Sequence, residues 1–283
     1  MSIAVIDVGS GSVRMLLGGK KTTIMTKLGE GLNASGRLGE EPVRRTVSVI
    51  KNFVSEAKEA GAEIYVFATE AVRAAENSAD FICAVRRECG LDLDVISGNE
   101  EAEIALLGAA PSGDATVVDI GSASVEIISG VGGKPVYLRS LPIGMVRLTE
   151  QADGNPELIR AYAASGIAKY GDVKLRENLI GVGGTFTSLA AMKLGLDVYD
   201  PEKVQGTHLT VGDVDALTES LLEAGSPEKI KEKYPLLPDV RCELITAGAL
   251  FVSELLSYLG ADGITVSESD NLDGYLRYKE NGG

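Results

Sequence analysis

The chain has 283 residues, 45% of them hydrophobic, and a formal net charge of −14 from 27 basic and 41 acidic side chains. That length and apolar content suffice for two modest cores, while the acidic excess argues against duplex nucleic acid or an anionic membrane as the main partner, since each needs a broad basic face. Cys83, Cys89 and Cys242 are odd in number and lack C-x-x-C spacing, which points away from a disulfide framework or a zinc site and toward small buried thiols.

The N-terminal residues show no basic region followed by an apolar stretch, so no signal peptide is expected. Apolar runs such as 247–256 are interrupted well short of the roughly 20 residues of a membrane span, and a cytoplasmic location follows as the expectation. In chain order, the pattern predicts a strand over 3–6, a polar glycine turn over 7–12, a strand over 13–17 and a further antiparallel strand over 22–27. Val47, Ile50, Val54 and Ala57 recur at helical spacing, with Pro42 suited to the first turn and Gly61 to the end. A short apolar strand over 64–68 comes next, then one over 93–96, then a helix opening over 100–107 with Asn99 as candidate N-cap. Residues 111–114, Pro-Ser-Gly-Asp, are the candidate domain boundary.

Beyond that boundary the chain repeats its beginning. Val5-Ile6-Asp7-Val8-Gly9-Ser10-Gly11-Ser12-Val13-Arg14 aligns without a gap on Val117-Val118-Asp119-Ile120-Gly121-Ser122-Ala123-Ser124-Val125-Glu126, at a constant offset of 112 residues. Two copies of one strand-turn-strand unit are expected. A third glycine-rich turn, Gly183-Gly184-Thr185-Phe186-Thr187-Ser188, follows a strand over 179–182 and runs into an apolar helical stretch.

A tight turn of Gly and Ser between two strands gathers backbone N–H groups and hydroxyls in one concavity, which suits phosphate oxygens. Gly9, Ser10, Gly11 and Ser12 with Arg14, then Gly121, Ser122, Ala123 and Ser124, and finally Gly183, Gly184 and Thr185 are therefore the candidate phosphate-binding positions. Asp7 and Asp119 end their strands at such turns, where a carboxylate can hold Mg²⁺ or merely cap its own turn. Arg73 stands just past the strand over 64–68 as a candidate phosphate clamp or an exposed solvating side chain. Glu100 and Glu101 open a helix; one could deprotonate water, or both could simply complement the helix dipole. There is no Walker A loop, and the single histidine, His208, supports neither a His-rich metal site nor a Ser-His-Asp triad.

Taken together, the sequence resembles the exopolyphosphatase / guanosine pentaphosphate phosphatase (Ppx/GppA) family, within the superfamily of acetate kinase, sugar kinases, hexokinase and actin. The resemblance runs nearly end to end. It is carried by 7–14, by Ala68-Thr69-Glu70-Ala71-Val72-Arg73, by Ser97-Gly98-Asn99-Glu100-Glu101-Ala102, by Leu141-Pro142-Ile143-Gly144-Met145-Val146-Arg147-Leu148-Thr149, by 181–190, and by Ala247-Gly248-Ala249-Leu250 ahead of Val266-Ser267-Glu268. It implies an α/β fold with two ribonuclease-H-like (actin-like ATPase) domains flanking a central cleft, residues 1–114 and 115–283. It further implies Mg²⁺ or Mn²⁺ dependence and release of terminal phosphate from polyphosphate or guanosine pentaphosphate. On that resemblance Glu101, with Glu100 beside it, is the water-activating acid, Arg73 contacts phosphate, Asp119 and Glu126 join Asp7 as metal ligands, and a homodimer is expected.

The chain departs from the family pattern at three places. Ser122, Ala123 and Val125 replace two glycines and a threonine of the second phosphate turn; Asp270-Asn271-Leu272-Asp273-Gly274 stands where Gly-Leu-Arg-Glu-Gly is usual; and Gln205 replaces a histidine. A phosphohydrolase is the first reading. A weakened homologue that binds polyphosphate or a nucleotide and signals, and a small-molecule kinase of the same superfamily, are the alternatives.

Overall fold

The computed structural model describes residues 2–110 and 113–280. They form two compact units: the chain up to Gly108 together with the segment from Asn271 onward, and the segment Ala109 to Asp270.

In the first unit the order is β1 (Ile3–Val8), β2 (Ser12–Leu17), β3 (Lys20–Met25), α1 (Leu32–Ser35), α2 (Glu40–Glu59), β4 (Glu63–Ala68), α3 (Glu70–Ala74), α4 (Ser78–Cys89), β5 (Asp94–Val95) and α5 (Gly98–Ala109). The sheet runs β3-β2-β1-β4-β5, antiparallel where hairpins join consecutive strands and parallel where helices cross over. β1 lies at its centre and is buried from Ala4 through Val8. The apolar positions read at helical spacing, Val47, Ile50, Val54 and Ala57, are the buried face of α2.

The second unit contains β6 (Ala115–Ile120), β7 (Val125–Val131), β8 (Lys134–Leu141), α6 (Met145–Gln151), α7 (Pro156–Ile167), β9 (Leu179–Val182), α8 (Gly184–Lys193), α9 (Pro201–Val204), β10 (His208–Thr210), α10 (Val211–Ala224), α11 (Pro227–Lys233), α12 (Asp239–Leu259) and β11 (Gly263–Ser267). Its sheet runs β10-β11-β9-β6-β7-β8. Read from β8, the order of hairpin strands followed by parallel crossover strands is that of the first unit, with β10 added at the edge. Two ribonuclease-H-like sheets, each with helices packed on it, are thus present, as the repeat required. By length and composition α12 could cross a membrane. Its apolar residues instead fill the core of the second unit: Cys242, Ile245, Leu250, Phe251, Val252 and Leu255 are all buried.

Three boundaries differ from expectation. β3 begins at Lys20 and ends at Met25, because Thr26 and Lys27 turn away, Lys27 with φ +51°. The boundary read at 111–114 lies partly outside the described residues, and the units part at Gly108. The largest change concerns α13 (Asn271–Glu280), expected in the second domain, which belongs to the first. Its Leu272 and Tyr275 are fully buried among Val5, Leu16, Phe67, Ile96 and Ile104. The Tyr275 ring stacks on Phe67 with centroids 4.3 Å apart, and its hydroxyl donates to Asp94 at 2.7 Å. Arg277 donates to the carbonyls of Leu107 and Gly108 at the end of α5, satisfying acceptors that a helix C-terminus leaves open. Cys89 and Cys242 are buried, Cys83 is exposed, and all three are free thiols.

Candidate functional site

The two repeated turns have the same construction. Gly9 N donates to Ser12 O, and Gly121 N to Ser124 O, each at 3.0 Å. The carbonyls of both turns are tied down by the chain that follows. Ser10 O accepts from Gly29, and Gly11 O from Thr26 and Lys27; Gly121 O, Ser122 O and Ala123 O accept from Met145, Val146 and Gly144. Among the described residues, no protein acceptor is paired with the N–H groups of Ser10, Gly11, Ser122 or Ala123. A turn whose carbonyls are committed and whose amides are not is built to receive an anion.

The substitutions in the second turn do not disturb this arrangement. Among the described residues only Lys27 and Asp153 carry a positive φ without being glycine, so Ser122 and Ala123 adopt ordinary backbone angles. The close approach comes from the other side, where a Cβ on Gly144 would fall 2.4–2.5 Å from backbone atoms of Ser122 and Ala123.

The residues opposite each other beside the turns differ in kind. Asp7 pairs with Arg14 across β1 and β2; its carboxylate, 4% exposed, accepts from Arg14 Nε at 3.0 Å and from Nη2. The guanidinium engages Oδ2 of Asp7, and a cation held at Asp7 would share the carboxylate with it. Asp119 pairs with Glu126 across β6 and β7, two carboxylates in register, with Ser140 donating its hydroxyl to Glu126. Although no cluster of three His, Cys, Asp or Glu occurs among the described residues, Mg²⁺ commonly takes one or two carboxylates and completes its shell with water and phosphate. Asp119 and Glu126 fit that donor set.

Arg73, in the last turn of the short helix α3 that follows β4, reaches both α3 itself and the start of α5. Nη1 donates to Ile96 O at 2.6 Å; Nη1 and Nη2 both lie 3.2 Å from Glu101 Oε2; and Nη2 donates to Glu70 Oε2 at 2.5 Å. Glu100 is occupied differently. It closes a capping box with Ser97, whose N–H donates to Glu100 Oε2 at 2.8 Å and whose hydroxyl accepts from Glu100 N at 3.3 Å. These bonds hold the Glu100 carboxyl below its usual range. Ser97 rather than Asn99 therefore caps α5. Of the two adjacent acids, Glu101 is the one beside the guanidinium.

At the third turn, Gly183 is fixed by conformation and space: φ is +95°, and a Cβ would meet Ile120 O at 2.8 Å and Asp119 Oδ1 at 3.1 Å. Over Gly184 lies Arg241, from the first turn of α12, whose Nη2 would stand 2.0 Å from a Cβ there. Thr185 is 1% exposed and packs on Gly248 of α12. Arg241 is half-buried, and desolvation lowers its pKa. Tyr199, hydrogen-bonded to Glu268, is pushed upward by burial, and Gln205 accepts from Glu268 N at 2.7 Å. Sequence reading missed Arg241, because one arginine at the head of a long apolar helix carries no signal of its own. His208 is exposed on the edge strand β10.

The fold and these turns define a protein of two α/β units with a repeated strand-turn-strand core, and comparison identifies the family. The chain belongs to the Ppx/GppA phosphatase family, whose profile matches residues 4–276, and so stands among phosphoanhydride hydrolases. It is 31% identical over 308 aligned residues to a bifunctional 3-dehydroquinate synthase/phosphatase of Fusobacterium nucleatum, covering 96% of this chain but 46% of that protein. With exopolyphosphatase 2 of Mycobacterium tuberculosis it shares 29% identity over 96% of both chains. The crystal structure of the Aquifex aeolicus Ppx/GppA family member superposes with a TM-score of 0.85 at 32% identity, covering 100% of this chain and 99% of that one.

Proposed function

We propose that the chain hydrolyses the terminal phosphoanhydride bond of inorganic polyphosphate or guanosine pentaphosphate, with Glu101 as general base. The observation that carries this reading is the Arg73–Glu101 pair, a carboxylate 27% exposed held against a guanidinium 29% exposed. In the reaction Glu101 accepts a proton from water as the water attacks phosphorus. Arg73 engages the phosphate oxygens while its two terminal nitrogens keep the Glu101 carboxylate positioned beside them. Within each unit, the amides of its repeated turn are suited to a phosphate oxygen, and in the second unit Arg241 adds a cation beside the third turn. Asp119 and Glu126 would hold Mg²⁺ or Mn²⁺, whose charge would offset that of phosphate oxygens.

Phosphate release from polyphosphate, guanosine pentaphosphate and ATP, assayed with each metal, tests the proposal. Glu101→Gln should reduce turnover by at least about a hundredfold while binding persists. Retained turnover removes Glu101 from the role, and ATP-dependent phosphorylation of an acceptor would instead favour a kinase.

A further inference from the structure

Arg73 is engaged by two carboxylates in the ligand-free chain, and the two are not equivalent. Glu101 is 27% exposed and receives both terminal nitrogens; Glu70 is 67% exposed and pairs from only three residues earlier on α3. With Ile96 O also on Nη1, the guanidinium meets an incoming phosphate with its terminal donors committed. A phosphate oxygen that binds the outer face of the guanidinium through a terminal nitrogen takes the place of one carboxylate. Exposed pairs at i,i+3 are weak and screened by salt, whereas a half-buried carboxylate held by two nitrogens gives way less readily. Glu70 is the one that yields.

We propose that Glu70 is an internal competitor for Arg73, a specificity-determining residue whose carboxylate occupies the guanidinium until a polyanion displaces it. The inference rests on the reading of Arg73 as a phosphate contact. Its consequence is a bias toward ligands of high negative charge density. A short chain of phosphates carries enough charge to displace Glu70, while a lone monoanion gains less from the exchange. Glu70 itself touches neither water nor phosphorus in the reaction, so its removal should alter binding and leave the chemical step alone.

The test uses the full chain with inorganic tripolyphosphate, measuring KM and kcat by phosphate release and Kd by calorimetry, for wild type, Glu70→Gln and Glu70→Ala. Both variants should lower KM and Kd by about threefold at low ionic strength, with kcat unchanged, and the gain should disappear near ~0.5 M salt, where the Debye length falls to a few ångströms. A merely structural role would lower the melting temperature or kcat without tightening binding. If wild type binds and turns over tripolyphosphate but both variants show an unchanged or raised Kd, the competitor role is overturned and the phosphatase reading stands. If wild type neither binds nor hydrolyses tripolyphosphate, the competitor role falls together with the polyphosphate reading. Should one variant fail to fold, the other decides.

Discussion

Replacing Gly274 by alanine sets two physical effects against each other with opposite signs. Within a helix alanine is favoured over glycine by about 1 kcal/mol, so local propensity alone calls for a more stable protein. The packing of α13 on α5 calls for the reverse. A Cβ at position 274 would lie 1.9 Å from Ile104 O, 2.8 Å from Ile104 C and 2.9 Å from Gly108 N. All three are backbone atoms, so no rotamer change relieves them, and α13 must retreat by about 1.5 Å or more to reach ordinary contact. The cost lies between a strongly overpacked contact, about 3 kcal/mol, and full undocking. Undocking exposes Leu272 and Tyr275 and breaks the Phe67–Tyr275 stack, together about 4–7 kcal/mol. After the propensity gain is subtracted, about 2–6 kcal/mol of destabilisation remains. The chain has no tryptophan, so urea unfolding is best followed by far-ultraviolet circular dichroism and tyrosine fluorescence. A midpoint equal to or above that of wild type would refute the argument that this crossing holds α13.

Other outcomes follow from single contacts. Thr210→Ala removes one half of the capping box of α10, in which Thr210 Oγ1 accepts from Asp213 N and Asp213 accepts from Thr210 N; thermal unfolding should show a loss of about 1 kcal/mol. Lys193 first, and Thr210 second, hold the Asp213 carboxyl at about 2. A carboxyl depressed in the folded state stabilises above its unfolded value near 4 and loses that contribution as pH falls through about 2. The stability gap between wild type and Asp213→Asn should therefore be constant near neutrality and close between about pH 4 and pH 2 in acid titrations. Gly184→Ala drives a Cβ into the Arg241 guanidinium, and tripolyphosphate affinity measured by calorimetry should fall by about tenfold through loss of a charge-assisted contact.

The repeat was the most legible part of the fold, because a gapless strand-turn-strand copy carries its own register: Asp7 and Asp119 occupy equivalent ladder positions, as do Arg14 and Glu126. Helix α2 was readable for a related reason, its apolar residues having one period and one face. What the sequence left hidden depends on partners distant along the chain. Tyr275 finds Phe67 and Asp94 in the first unit only after the chain has completed the second, and periodicity within α13 contains no mark of that return. The choice between Glu100 and Glu101 was undecided for the same reason. Neighbouring acids look alike in sequence, and only the Ser97 bonds on one and the Arg73 contact on the other separate them. The close approach of Gly144 to Ser122 and Ala123 is likewise hidden, because two strands, β7 and β8, separate them along the chain.

The two copies of the turn keep one backbone and diverge in charge. Where the first places Arg14 opposite Asp7, the second places Glu126 opposite Asp119. Opposite charges across a ladder attract, and like charges directly opposed repel. The first copy therefore pairs its acid with a base on the protein itself, and the second gathers two acids with the Ser140 hydroxyl beside them. The same turn backbone thus stands next to a guanidinium in one unit and next to a carboxylate pair in the other. Backbone and facing pair vary independently in this fold: the bonds from Gly9 N to Ser12 O and from Gly121 N to Ser124 O are both 3.0 Å long, whichever charge stands across the ladder.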